Sequence, residues 1–136
     1  MSYLLDTNVI SELRKGKQCD QRLADWFSDL STEDLFLSVL TLGELRKAID
    51  SLARRDSPSA SILNRWLQSV IEGFENRIIS IDRAVAEAWG RMNVPNTLPA
   101  VDGLLAATAK VHGLTLVTRN TKYVRGTGVS CINPFS

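Results

Sequence analysis

Short apolar segments alternate along the chain with longer segments in which apolar residues recur every three or four positions. Five segments rich in Leu, Val or Ile predict strands at residues 3–5, 35–40, 77–81, 114–118 and 129–132. The helical segments between them are SELRKGK, DQRLADWFSDL, TLGELRKAIDSLARR, SASILNRWLQSVIEGF, DRAVAEAWGRMN and AVDGLLAATAKVHG. Short strands without polar alternation, separated by helices, are typical of a parallel sheet covered on both faces. The pattern predicts a three-layer α/β fold with a central parallel sheet of four to five strands flanked by helices.

The composition predicts one domain spanning residues 1–136, because 44% of the residues are hydrophobic and only 23% are charged. The formal net charge of +1 excludes a generally basic nucleic-acid binder, so a nucleic-acid substrate needs a local basic patch. Cys19 and Cys131 form no CxxC pair, which is typical of free thiols in a reducing compartment. With no signal peptide and no apolar run long enough for a bilayer, we expect a cytoplasmic protein without membrane association.

Four acidic residues lie where parallel sheets place ligand sites, beyond the carboxyl ends of the strands. Asp6 follows the first predicted strand, Glu44 lies in the first turn of the helix after the second, Asp82 follows the third, and Asp102 opens the helix before the fourth. Asp82, in SIDRAVAEAW, is predicted to be a helix N-cap. Asp6 either caps the next helix or takes part in chemistry, because an unpaired carboxylate at a buried strand end is costly.

Glu44 and Asp102 each have a structural and a functional interpretation. Thr41 and Glu44 have the spacing of a capping box, but the strand just before them places Glu44 at the carboxyl edge of the sheet and favours a ligand. Asp102 stands in VDGLLAA, a helix too apolar to be exposed to solvent, so its charge needs a partner.

The chain has a single histidine, His112, followed by Gly113 in a pattern typical of a helix C-terminus with a left-handed glycine cap. A two-histidine acid–base mechanism and a histidine-rich zinc site are therefore excluded, and any catalysis depends on carboxylates. Three converging carboxylates repel one another, and a divalent cation removes that repulsion. Ligation by oxygen alone favours Mg²⁺ or Mn²⁺.

Four segments together resemble the PIN-domain ribonucleases, most closely the VapC-type toxins of bacterial toxin–antitoxin pairs: LLDTNVISEL, SVLTLGELRKAI, VDGLLAATAKVHGLTLVTRN and the closing INPF. The resemblance covers nearly the whole chain. It implies a PIN domain in which Asp6, Glu44 and Asp102 are catalytic, bind Mg²⁺ or Mn²⁺ and cut RNA. It also implies a cognate antitoxin that holds the enzyme inactive, a homodimer, and a larger assembly with antitoxin and operator DNA.

Polar neighbours of these acids are predicted to support the site. Thr7 and Asn8 are expected to hold a carboxylate or water, with a helix cap as the alternative for Asn8. Thr118 matches a position that the PIN-domain family commonly uses at its active site. The alternative is an ordinary hydroxyl at a strand end. Where many relatives carry a fourth acid this chain has Asn120, or else Tyr123, so we expect a weak metal ligand at Asn120 and a weaker second metal position.

Basic and aromatic residues provide candidates for partner contacts. Basic side chains near the same edge can contact RNA phosphates, with Arg46, Arg119 and Lys122 as the predicted RNA-binding set and Lys15 and Arg125 as further candidates. In the VapC-type toxins that this chain resembles, the helical hairpins that here carry Trp26, Phe27 and Trp66 form a groove for an antitoxin peptide. Residues at such helical spacing are also typical of a core.

Two other functions remain open from the sequence. LLDTN loosely resembles the opening motif of haloacid dehalogenase phosphatases, although Asn8 replaces the second aspartate and Lys110 falls a turn too late for the lysine of that chemistry. The other alternative is a catalytically silent PIN-like binding module, against which the three intact acids argue.

Overall fold

A computed structural model describes all 136 residues, Met1–Ser136, as a parallel five-stranded sheet between layers of helices. The strands are β1 (Tyr3–Leu5), β2 (Leu35–Ser38), β3 (Ile78–Ile79), β4 (Thr115–Val117) and β5 (Cys131–Ile132), in the spatial order β3-β2-β1-β4-β5. The helices are α1 (Thr7–Leu13), α2 (Gln21–Ser28), α3 (Val39–Ala53), α4 (Ser57–Phe74), α5 (Arg83–Met92) and α6 (Ala100–His112). The predicted α/β class and parallel sheet are confirmed, with five strands.

Successive residues of the central strands point to opposite faces of the sheet, and each face has its own core. Leu5 of β1 and Val117 of β4 belong to a cluster packed by α1, α2, α3 and α4. Leu4 and Leu116, one position earlier on the same two strands, belong to a second cluster packed mainly by α6. Because both faces are covered, the strands carry apolar residues on both sides, which is why their sequences lack alternation.

Polar side chains determine where most of the helices begin. Asp20, Asp56 and Asp82 each accept a hydrogen bond from a backbone N–H in the first turn of α2, α4 and α5. The predicted N-cap at Asp82 is therefore confirmed, with its carboxylate 3.0 Å from the Val85 nitrogen. Gly113 ends α6 with φ of 66°, as predicted, because only a residue without a Cβ adopts this conformation at low cost.

Two of the predicted boundaries that lie next to the acidic residues are wrong. The second strand ends at Ser38, not at residue 40, because the Ser38 hydroxyl accepts the Leu40 N–H at 3.0 Å and starts α3. The first helix begins at Thr7, not at residue 11, because Asp6 caps it. Glu44 therefore lies in the second turn of α3, and the capping-box interpretation of Thr41 and Glu44 is wrong.

Both cysteines, Cys19 and Cys131, are free thiols that are partly exposed. None of the helices is both long enough and apolar enough to cross a membrane.

Candidate metal and RNA-cleavage site

Three acidic side chains line one open cavity of about 630 Å³ at the carboxyl edge of the sheet, and most of the residues around it are polar. Asp6 follows β1, Glu44 lies on α3 just after β2, and Asp102 lies in the first turn of α6, whose N-terminus is at this edge because α6 runs back towards the start of β4. Asn120, three residues after the end of β4 at Val117, adds an amide to the lining of the cavity. The parallel topology thus brings together residues that are far apart in the chain.

Asp6 caps α1 and also lines the cavity. Its Oδ1 accepts the Thr7 N–H at 2.6 Å, and its Oδ2 accepts the Thr118 hydroxyl at 2.7 Å and the Asn8 amide at 3.3 Å. The residue is only 6% exposed, and these donors offset the cost of burying its charge. Thr7, Asn8 and Thr118 thus all donate to Asp6, and Asn8 lies inside α1, so the helix-cap alternative for Asn8 is wrong.

Glu44 is held by one hydroxyl group of a neighbouring helix. The Thr7 hydroxyl donates to Glu44 Oε1, and it also lies 3.3 Å from the hydroxyl of the fully buried Thr41. Sequence reasoning assigned Thr41 only to a capping box and missed this role. The signal was its spacing, because residues three apart share a face of a helix.

Asp102 is the one acid of the three that receives no hydrogen bond from the protein. Partial burial raises the pKa of its carboxyl, and the negative charges of Asp6 and Glu44 raise it further. Gly103 allows this turn to pack closely on α5, because a Cβ there would lie 3.2 Å from the Trp89 ring. The cavity therefore holds a carboxylate whose charge is not compensated by the chain.

The donor set suits a hard divalent cation, although the acids do not form a closed cage. All the candidate ligand atoms are oxygens, but no three acidic side chains approach one another closely enough to enclose a metal ion by themselves. A cation that keeps several water ligands fits this spacing, and Mg²⁺ has that property. The carboxylates are thus more widely spaced than the converging cluster that the sequence predicts.

The two candidates for the missing fourth acid have different environments. Asn120 lines the cavity, and its backbone N–H donates to the Thr118 hydroxyl at 3.0 Å. Tyr123 does not line the cavity, and the centre of its ring lies 4.9 Å from the Lys122 ammonium group. Of the two, only Asn120 is placed to meet a bound cation.

The candidate RNA-binding residues differ in how far their charges are already paired. Arg46 lies 3.7 Å from Asp50, and Lys15 lies 3.0 Å from Glu12, both within surface ion pairs. Arg119 has no carboxylate within ion-pair distance, and its guanidinium lies 3.9 Å from the centre of an aromatic ring, that of Phe135. Arg119 is therefore available for an external anion.

A second cavity, the apolar groove, lies between α1, α2 and α4 and measures about 600 Å³. Phe27 and Trp66, two of the three predicted groove residues, line it together with Val70 and Phe74. The third, Trp26, packs edge-on against the ring of the first strand's tyrosine at 5.3 Å and supports the core instead.

Comparisons with known proteins agree with this architecture. Residues 3–128 match the PIN domain family. The chain is 36% identical to "Toxin FitB" of Neisseria gonorrhoeae, with 97% of each chain covered. It is 31% identical to "VapC ribonuclease Y4jK" of Sinorhizobium fredii, covering 97% of this chain and 96% of that protein. The solved structure of FitAB bound to an IR36 DNA fragment is similar, with a TM-score of 0.87, 33% identity, and coverage of 98% of this chain and 96% of that one.

Proposed function

The chain belongs to the PIN domain family, and from that premise we propose that it is the ribonuclease toxin of a toxin–antitoxin pair, cutting RNA phosphodiester bonds with a divalent cation. The observation that carries this proposal is that Asp6, Glu44 and Asp102 line one polar cavity. The whole chain, residues 1–136, forms the single PIN domain, since Phe135 near its end packs into the main core. The protein acts in the cytoplasm, where its substrate is found.

Asp6, Glu44 and Asp102 hold the cation, with Asn120 as a weaker neutral ligand. VapC-type nucleases of this family depend on divalent metals, and we assign Mg²⁺ or Mn²⁺ here because the ligand atoms are all oxygens. When bound, the cation lowers the pKa of a water nucleophile and neutralises charge on the leaving oxygen.

The chain's own residues orient these ligands. Thr118 and Asn8 donate to Asp6 Oδ2, and the Thr7 hydroxyl, which also contacts Thr41, holds Glu44. Asp102 receives no hydrogen bond from the protein, so its charge is the one that a cation compensates most. Fixed ligands of this kind reduce the reorganisation needed when substrate binds.

The partners of the toxin are RNA, a cognate antitoxin protein and DNA. The apolar groove is the docking surface for the antitoxin, because Phe27, Trp66 and Phe74 expose apolar area that a partner helix can cover. The FitAB–DNA complex supports an assembly of toxin, antitoxin and operator DNA, and we include a homodimer of toxin chains in it.

The two alternative functions have less support. A haloacid dehalogenase phosphatase needs a lysine in its site, but Lys110 lies near the C-terminus of α6, at the opposite edge of the sheet from Asp6. A silent binding module does not need three acids around one cavity, one of them without a hydrogen-bond donor.

Cleavage of RNA by the purified chain, free of antitoxin, tests the proposal. We expect cleavage with Mg²⁺ or Mn²⁺, none with excess EDTA, and none by Asp6→Asn. Asp82→Asn is the matched control, because it removes the charge of a capping aspartate outside the cavity. Cleavage that persists in EDTA contradicts the proposal.

A further inference from the structure

Arg119 is held beside the acidic cavity by contacts at both its backbone and its side chain. Its N–H donates to Asn8 Oδ1 at 3.3 Å, and the Asn8 amide in turn donates to Asp6. Its guanidinium stacks on Phe135 with 3.9 Å between Cζ and the ring centre. Such stacking limits the conformations of a long side chain before any ligand arrives.

Phe135 is itself fixed from several directions. It is 9% exposed and packs into the core cluster that contains Leu5 and Leu23. Its carbonyl accepts the Arg22 guanidinium at 2.9 Å, and its N–H donates to Asn133 Oδ1 at 2.9 Å. The pairing of β4 with β5 brings the turn that contains Phe135 beside Thr118 and Arg119, which follow β4. The Phe135 ring is therefore a rigid support.

The N–H groups of the Arg119 guanidinium donate to no group of the protein, and no carboxylate lies within 4.0 Å of them. Glu12, an acid on the same side, is already engaged by Lys15 at 3.0 Å and by the Asp20 N–H at 2.9 Å. One face of the guanidinium is covered by the ring, while the planar edge remains free to donate. That edge suits two oxygens of a phosphate.

We propose that Arg119 binds a backbone phosphate of the substrate RNA next to the cleavage site, and that Phe135 is the positioning residue that holds its guanidinium for this contact. The inference rests on the proposed function. Because Arg119 does not line the acidic cavity, the phosphate that it binds is a neighbour of the reacting one. Its contribution is therefore to substrate affinity, and it affects KM more than kcat.

Equilibrium binding of a fluorescently labelled single-stranded RNA in EDTA measures this contact without cleavage. Arg119→Ala is expected to weaken binding about tenfold and to reduce the slope of log affinity against log salt by about 0.7, the value for one phosphate contact on a single strand. Arg119→Lys keeps the salt slope but binds more weakly, because lysine lacks the planar fork. Arg55→Ala, an exposed position just beyond the C-terminus of α3, is the charge-matched control and should bind like the wild type.

Phe135 is tested by a double-mutant cycle on the same binding assay. Phe135→Leu should weaken RNA binding when Arg119 is present and have no further effect in the Arg119→Ala background, whereas Phe135→Tyr should keep the affinity. Weakening of equal size in both backgrounds would show a merely structural role and overturn the proposal. Melting curves identify variants that are unfolded, and the Tyr variant keeps the test valid if Phe135→Leu is unstable.

The test separates this inference from the proposed function. If metal-dependent cleavage is present but Arg119→Ala binds RNA like Arg55→Ala, the inference fails and the ribonuclease assignment stands. If Arg119→Ala weakens binding of the antitoxin but not of RNA, the arginine recognises an acidic group of the partner, and the RNA contact is wrong. Absence of RNA binding by the wild type also overturns it.

Discussion

The acidic cavity and the apolar groove lie on two sides of α1 and are open for opposite physical reasons. Asp6, Thr7 and Asn8 at the start of α1 face the cavity, while Ile10 and Leu13 line the groove. The cavity carries charge that the chain does not compensate, and the groove carries apolar surface that the chain does not cover. The first should respond to cations and pH, and the second to an apolar partner.

The largest expected effect is on catalysis. Asp102→Asn removes the charge of a proposed metal ligand with little change in volume. Metal-dependent cleavage should therefore fall more than about a hundredfold, a larger loss than that usually caused by removing a residue that only orients a ligand. Antitoxin binding in the groove should remain within about twofold if the two regions are independent. Cleavage at the wild-type rate would move the metal site elsewhere.

The converse experiment places a charge in the groove. Ser69 is exposed on α4 and lines the groove, so Ser69→Glu should weaken antitoxin binding about ten- to a hundredfold by burying an unpaired charge in the complex. Cleavage by the free toxin should not change. Ser61→Glu, an exposed position on the same helix outside the groove, is the control, and equal weakening by both variants would contradict the assignment of the groove.

Asn120 tests how far the cavity can accept more charge. Asn120→Asp should bind Mn²⁺ more tightly by about 1–2 kcal/mol, because a fourth carboxylate attracts the cation. Without metal the variant should melt at a lower temperature than the wild type, because the new charge adds repulsion. Superimposable metal titrations of the two proteins would remove Asn120 from the site.

The smallest expected effect is on stability without metal. The pKa of Asp102 is raised on folding, so the favourable contribution of its protonated form is complete below the ordinary value of 3.8 and is lost as pH rises through the raised value. At pH 7 in EDTA, Asp102→Asn should melt about 1–2 °C above the wild type, a small difference because solvent screens this partly exposed group. The difference should disappear at pH 3; its persistence there would exclude charge repulsion as the cause.

Parts of the structure were predictable because local chemistry determines them. Asp82 and Gly113 follow local capping rules, and both were predicted correctly. The start of α3 was not, because Ser38 had to be recognised as a cap within an apolar segment that also suits a strand. That shift of helix start changed the environment predicted for Glu44.

Periodicity and residue type were enough to predict the fold class and to place Asp6, Glu44 and Asp102 at the carboxyl edge of the sheet. Tertiary packing was needed to bring the Thr7 hydroxyl to Glu44, to leave Asp102 without a donor, and to place Phe135 against Arg119. These contacts join residues from separate elements of the chain, and their geometry depends on how the strands pair and the helices pack. Local pattern determines which side chains are available, and packing determines which of them meet.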